Sequence, residues 1–120
     1  MIDYTSEELQ KAQRPICSLI SKSEKALRKL KPGTWQHIML QNNIKALYIG
    51  RALMNRESAK DDFTPEDLRA ALGMFSAMIS KVEKAQTKFA VGTSQHTLQR
   101  NRLNALRLAE ALTQAALNKG

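Results

Sequence analysis

The residues with the most chemical potential sit in a word that the chain spells twice. GTWQH occupies residues 33–37 and GTSQH residues 92–96, and together they hold the only two histidines, His37 and His96. An imidazole can take up a proton, a metal or an anion. Two of them at one end of a helical domain would lie beside helix N-termini, whose unpaired N–H groups and positive dipole ends favour anions. That reading makes Thr34, His37, Thr93 and His96 the centre of an anion-binding site. The plainer reading is structural: Gly ends one helix, Thr caps the next, and the imidazole takes the capping-box place of Glu or Gln. A shared metal has less behind it. Two histidines are an incomplete ligand set, and no Cys or carboxylate stands near them in sequence. No motif implies a cofactor.

Charge points the same way as the histidines. Lys22, Lys25 and Lys29 recur as Lys81, Lys84 and Lys88, and the i, i+3, i+7 spacing places each set on one helix face. Such a ladder is either a solvated face or a series of phosphate contacts. Between Glu24 and Glu57 there are seven basic residues and no acid, and between Glu83 and Glu110 five and no acid. Glu7, Glu8, Asp61, Asp62, Glu66 and Asp67 fall towards the opposite end of the expected fold. With a net charge of +8, the chain is expected to present a basic end to a nucleic acid or another polyanion.

Helices must position these groups, and the sequence says which. Residues 5–53 align without gaps on residues 64–112, an offset of 59, with 20 of the 49 positions identical. A period of this size marks one supersecondary unit that cannot bury its apolar face alone. Gly and Pro are sparse, at 5 and 3 of 120 residues, so helix is favoured throughout. Thr5 and Thr64 read as N-caps completed by Glu8 and Asp67, with Pro65 at a first helical position. Leu9, Ile16, Ile20, Leu27 and Leu30 keep helical spacing, as do Leu68, Phe75, Ile79, Val82 and Phe89. Gly33 and Gly92 are expected to end these helices, and Thr34 and Thr93 to open the next, running to about Arg56 and Leu117. Pro15 and Gly73 predict kinks or breaks near 13–15 and 72–74.

The expected fold is all-α: an antiparallel four-helix up-down bundle of two tandem helical hairpins with pseudo-two-fold symmetry. A single domain, 1–120, would comprise repeat 1 (5–54), a polar connection (55–63) and repeat 2 (64–117). Both GT turns would lie at one end, and the lysine ladders would merge or diverge according to whether the first and third helices are neighbours or diagonal.

The remaining residues add detail. Cys17, set among Ile16, Leu19 and Ile20, reads as a small core residue in a chain with no disulfide partner. Asn42 and Asn101 lie on stripes with Ala46 and Ala105 and would fix packing register. Trp35, replaced by Ser94 in the second unit, would pack on its turn or stack on a partner. Ile38, Ile49, Met54, Leu108 and Leu117 would form a face for a protein partner or a second copy. No Gly-rich phosphate loop, nucleophile elbow or working carboxylate pair nominates an enzyme. No apolar run reaches the ~20 residues of a membrane span, and no leader is visible, so a cytoplasmic, non-enzymatic binding module without membrane contact is expected.

Overall fold

The chain folds into four helices, α1 (Ser6–Leu27), α2 (Trp35–Met54), α3 (Pro65–Gln86) and α4 (Ser94–Lys119). The computed structural model describes residues 4–55 and 63–119, and no strand occurs among them. Most of the connection, with Asp61, Asp62 and the expected helix end at Arg56, lies outside the described residues. The all-α bundle is therefore observed.

The caps act as their residue types dictate. Thr5 Oγ1 accepts from Glu8 N at 3.1 Å, and the Glu8 carboxylate accepts from Thr5 N at 3.0 Å. Thr64 and Asp67 repeat the exchange at 3.0 and 3.2 Å, with Pro65 opening α3. Each capping box satisfies two N–H groups that a helix start leaves free.

Two expectations about helix continuity are corrected. α1 runs through Pro15 and α3 through Gly73, so of the kinks or breaks expected there the breaks do not occur. Pro15 offers no N–H to the Lys11 carbonyl, but Ala12, Ile16 and Ile20 around it are buried, and their packing holds the helix on both sides. Gly33 and Gly92 do not end the first helix of each pair. α1 stops at Leu27 and α3 at Gln86, and each is followed by i→i+3 bonds before the turn begins.

Each hairpin is antiparallel. Gln13 bonds Asn55 and Glu24 bonds Tyr48 between α1 and α2, so residue numbers rise along one helix as they fall along the other. Arg107 binds Glu83 in the same way between α4 and α3. α1 and α3 barely touch and are diagonal, whereas α2 and α4 pack on one another. A Cβ placed on Gly50 would lie 2.9 Å from Ala109 Cβ and 3.1 Å from Phe75 Cζ, so only glycine permits this approach. Gly50 and Ala109 are themselves 59 positions apart.

The hairpins cross rather than run alongside one another. Lys45 reaches Asp67, while the position of Gly50 meets Phe75. Numbers rise together along α2 and α3, which full-length antiparallel packing would reverse. The shape agrees: 40 × 38 × 19 Å, a slab about two helices thick. Ile16, Phe75, Leu47 and Leu106 are at most 1% exposed and centre the core. That core draws on the first halves of α1 and α3 and the second halves of α2 and α4. The halves leading to the GT turns project from it as two arms.

Candidate functional site

Each GT turn is a small, closed hydrogen-bond system. Lys31–Pro32–Gly33–Thr34 is bridged from Thr34 N to Lys31 O at 3.3 Å, with Gly33 at φ 87°. Pro at the second place and a left-handed Gly at the third follow the type II turn pattern. Ala90–Val91–Gly92–Thr93 repeats it, with Gly92 at φ 94° and the bond from Thr93 N at 3.2 Å. The Thr hydroxyl then joins turn to helix. Thr34 Oγ1 donates to Lys31 O at 2.8 Å and accepts from His37 N at 3.3 Å; Thr93 Oγ1 makes the matching bonds at 2.7 and 3.2 Å.

This geometry changes the role expected of the histidines. The Thr34 and Thr93 N–H groups are already bonded within the turn, so the imidazoles have no capping-box partner to serve. His37 and His96 are half-buried, each in the first turn of its own helix. Among the described residues no hydrogen bond or ion pair links one GT turn to the other. Nor do three or more His, Cys, Asp or Glu side chains converge there on a metal position.

The six lysines of the expected ladders are all at the surface. Lys22 and Lys25 are exposed on α1 and Lys81 and Lys84 on α3. Lys29 and Lys88, also exposed, fall just past the helix ends in the turns that follow, so the last rung of each expected ladder is not on the helix. Because α1 and α3 are diagonal, the ladders stay on separate arms rather than merging. Each arm also holds its one acid in a bond across the hairpin. Glu24 accepts from the Tyr48 hydroxyl at 2.8 Å, and that bond raises the phenol's pKa above its ordinary value of 10.0, with burial and the carboxylate charge adding to it. Glu83 pairs with Arg107 at 2.9 Å. Glu24 and Glu83 stand at the same offset as Tyr48 and Arg107, so their identity in the self-alignment was the available signal for these cross-links.

The arms contain the entire charge surplus. Residues 21–44 and 80–103 each hold five Lys or Arg and one Glu, which is +4 apiece. The rest of the chain has nine of each sign. Lys45, counted from sequence among the residues of the basic end, instead pairs with Asp67 at the start of α3, 3.1 Å away. That bond, followed by the Thr64 backbone N–H, lowers the Asp67 pKa below its ordinary 3.8. In the second arm, Arg102 buries its Nε without a hydrogen-bond partner.

Several other expected roles are corrected by burial. Cys17 is exposed, because it falls one residue past Ile16 on the outer side of α1. Asn42 and Asn101 are exposed rather than set in the core, so they fix no buried register. Ile49 and Met54 are 1% and 2% exposed and belong to the core, which removes them from any docking face. Trp35 is 70% exposed and Ile38 49%, so neither ring nor side chain is absorbed by packing on the turn.

No known family model matches this chain, and neither does any curated protein or solved structure. Among the described residues, no helix is long and apolar enough to cross a membrane.

Proposed function

We propose that the protein is a small non-enzymatic binding module whose two basic arms contact a polyanion, with the nucleic-acid backbone the best-fitting class. The observation that carries this reading is the placement of the whole net charge. Two exposed arms hold +4 each, and the single carboxylate on each arm is engaged by Tyr48 or Arg107. Phosphate contacts from Lys and Arg position a nucleic acid without reading its sequence. The arms offer no helix of the short perpendicular kind that enters a major groove, so the contact is backbone-directed.

Binding of a labelled mixed-sequence oligonucleotide, followed by fluorescence anisotropy at ~50 mM and ~200 mM salt, tests it. Counterion release requires affinity to fall steeply over that range. Absent or salt-insensitive binding ends the proposal.

A second reading is a protein-interaction or self-assembly module, and one feature favours it. Trp35, Ile38, Asn42, Ala46 and Ile49 lie on one stripe of α2 at helical spacing. Its lower end is buried in the core, whereas Trp35 and Ile38 continue it into solvent. A mass above the 13.5 kDa monomer that grows with concentration would favour this reading.

A further inference from the structure

Beyond the arms, the hairpins meet along two clefts whose walls use positions 59 apart. The cleft between α2 and α3 is lined by Asn42, Lys45, Ala46, Ile49, Asp67 and Met74. At the same offsets, the cleft between α1 and α4 has Asn101, Asn104, Ala105, Leu108, Glu8 and Pro15. Their volumes differ sharply, at about 190 Å³ for the first and about 620 Å³ for the second.

Named substitutions account for the difference. In the smaller cleft Lys45 and Asp67 bridge the walls at 3.1 Å, and Met74 fills space. In the larger one Asn104 replaces the lysine, so the ion pair is lost. Glu8, like Asp67, accepts from its own cap, Thr5 N at 3.0 Å, but it has no lysine opposite to pair with. Pro15 in place of Met74 shortens the side chain that would fill the floor.

The α1 wall changes its charge as well. Lys11 and Arg14 occupy the places of Ala70 and Gly73. Lys11 is shared with Glu7 through an exposed 3.4 Å pair, a kind of contact that holds a side chain weakly. Arg107, also on the wall, is committed to Glu83. Arg14 makes no ion pair among the described residues and is the free cation of the cleft.

We propose that the α1–α4 cleft binds a small organic anion, a planar ring carrying one phosphate or carboxylate group. Its volume lies within the ~300–1,000 Å³ of small-molecule sites. Ala12, Pro15, Ala105 and Leu108 supply an apolar floor for the ring, and the amides of Asn101 and Asn104 offer hydrogen bonds at its edge. Arg14 and Lys11 face the anionic group, for which the planar guanidinium of Arg14 provides a two-pronged donor.

Titration calorimetry of the full chain tests this, with adenosine 5′-monophosphate and 2-naphthoate as probes and with adenosine and inorganic phosphate as controls lacking one half of the chemistry. The expected result is one-to-one binding of at least one probe and much weaker binding of both controls. The phosphate and carboxylate probes then show which group the cleft prefers. The double variant Asn104→Lys with Pro15→Met gives the open cleft the residues of the closed one. It should weaken probe binding at least ~tenfold although it adds a positive charge, as should Arg14→Gln, which removes a charged hydrogen bond. Each variant is first checked for a cooperative melt, and Arg14 is an exposed side chain whose loss leaves the core intact. No saturable binding of either probe overturns the proposal. So does a double variant that binds as well or better, because the probe is then held by surface charge alone.

Discussion

At the scale of single residues, two close contacts decide how the hairpins meet. Gly50 lies where α2 and α4 cross, against Ala109 and Phe75. Gly50→Ala would place a methyl group 2.9 Å from the Ala109 Cβ, which is too short for any real pair. We expect a loss of about 1–3 kcal/mol in urea melts, the usual cost of overpacking a tight core. The double variant Gly50→Ala with Ala109→Gly moves the missing methyl group to the other helix and should recover part of that loss. No recovery would mean that the Phe75 ring, not Ala109, sets the approach. Asp67 provides a second test at this scale. Its folded pKa lies below the ordinary 3.8, through the Lys45 bond first and the Thr64 backbone N–H second. The stability it contributes is therefore present above pH 3.8 and lost as pH falls below that value through the folded pKa. Asp67→Asn should flatten the acid side of a stability–pH profile below about pH 4 while changing little near neutrality beyond the lost pair. An unchanged acid slope would show that the Lys45–Asp67 bond adds nothing.

At the scale of elements, the helices could be read from sequence but some of their ends and faces could not. Thr5, Thr34, Thr64 and Thr93 marked the N-terminal ends because a hydroxyl cap is a local device with a local signature. Gly33 and Gly92 misled because a left-handed Gly serves a helix C-terminus and a type II turn equally well. Only the bond from Thr34 N to Lys31 O, with Pro32 inside it, separates the two. Pro15 misled in the other direction: the proline penalty is local, while the burial of Ala12, Ile16 and Ile20 belongs to the tertiary fold. Removing that penalty is informative. Pro15→Ala restores an N–H opposite the Lys11 carbonyl and should stabilise the protein by about 1–3 kcal/mol, less than a full interior-proline cost because α1 has already adapted. Thr34→Ala and Thr93→Ala should each lose about 1 kcal/mol, since each removes the acceptor for a histidine N–H. A much larger loss from either would mean that the hydroxyl's second bond, to Lys31 O or Ala90 O, holds the arm together. Thermal melts of the three variants measure all of this.

At the scale of the whole molecule, the candidate site was legible as composition and not as geometry. The lysine ladders and the twin GT turns are visible in the chain, because spacing fixes which helix face a residue occupies. Whether two such faces form one surface depends on how hairpins pack, and no local pattern reports that. The close fit at Gly50 and the Lys45–Asp67 bridge set the hairpins across each other and leave α1 and α3 diagonal. Two separated arms of +4 then make a quantitative demand on any polyanion they bind. Each neutralised phosphate contributes about 0.9 to the slope of log affinity against log salt on duplex DNA, or about 0.7 on a single strand. Changing Lys22, Lys25 and Lys29 to Gln should therefore lower the slope by about 2–3 if that arm lies on the duplex backbone. Changing Lys81, Lys84 and Lys88 to Gln should lower it by a similar amount, and the combined variant should lose both contributions, because the two sets lie on diagonal helices that barely touch. A polyanion that spans both arms gives this additive result. If the first triple variant removes nearly all of the slope and the second almost none, a single arm binds. Trp35, which only the first arm carries at its turn, then becomes the residue that distinguishes them.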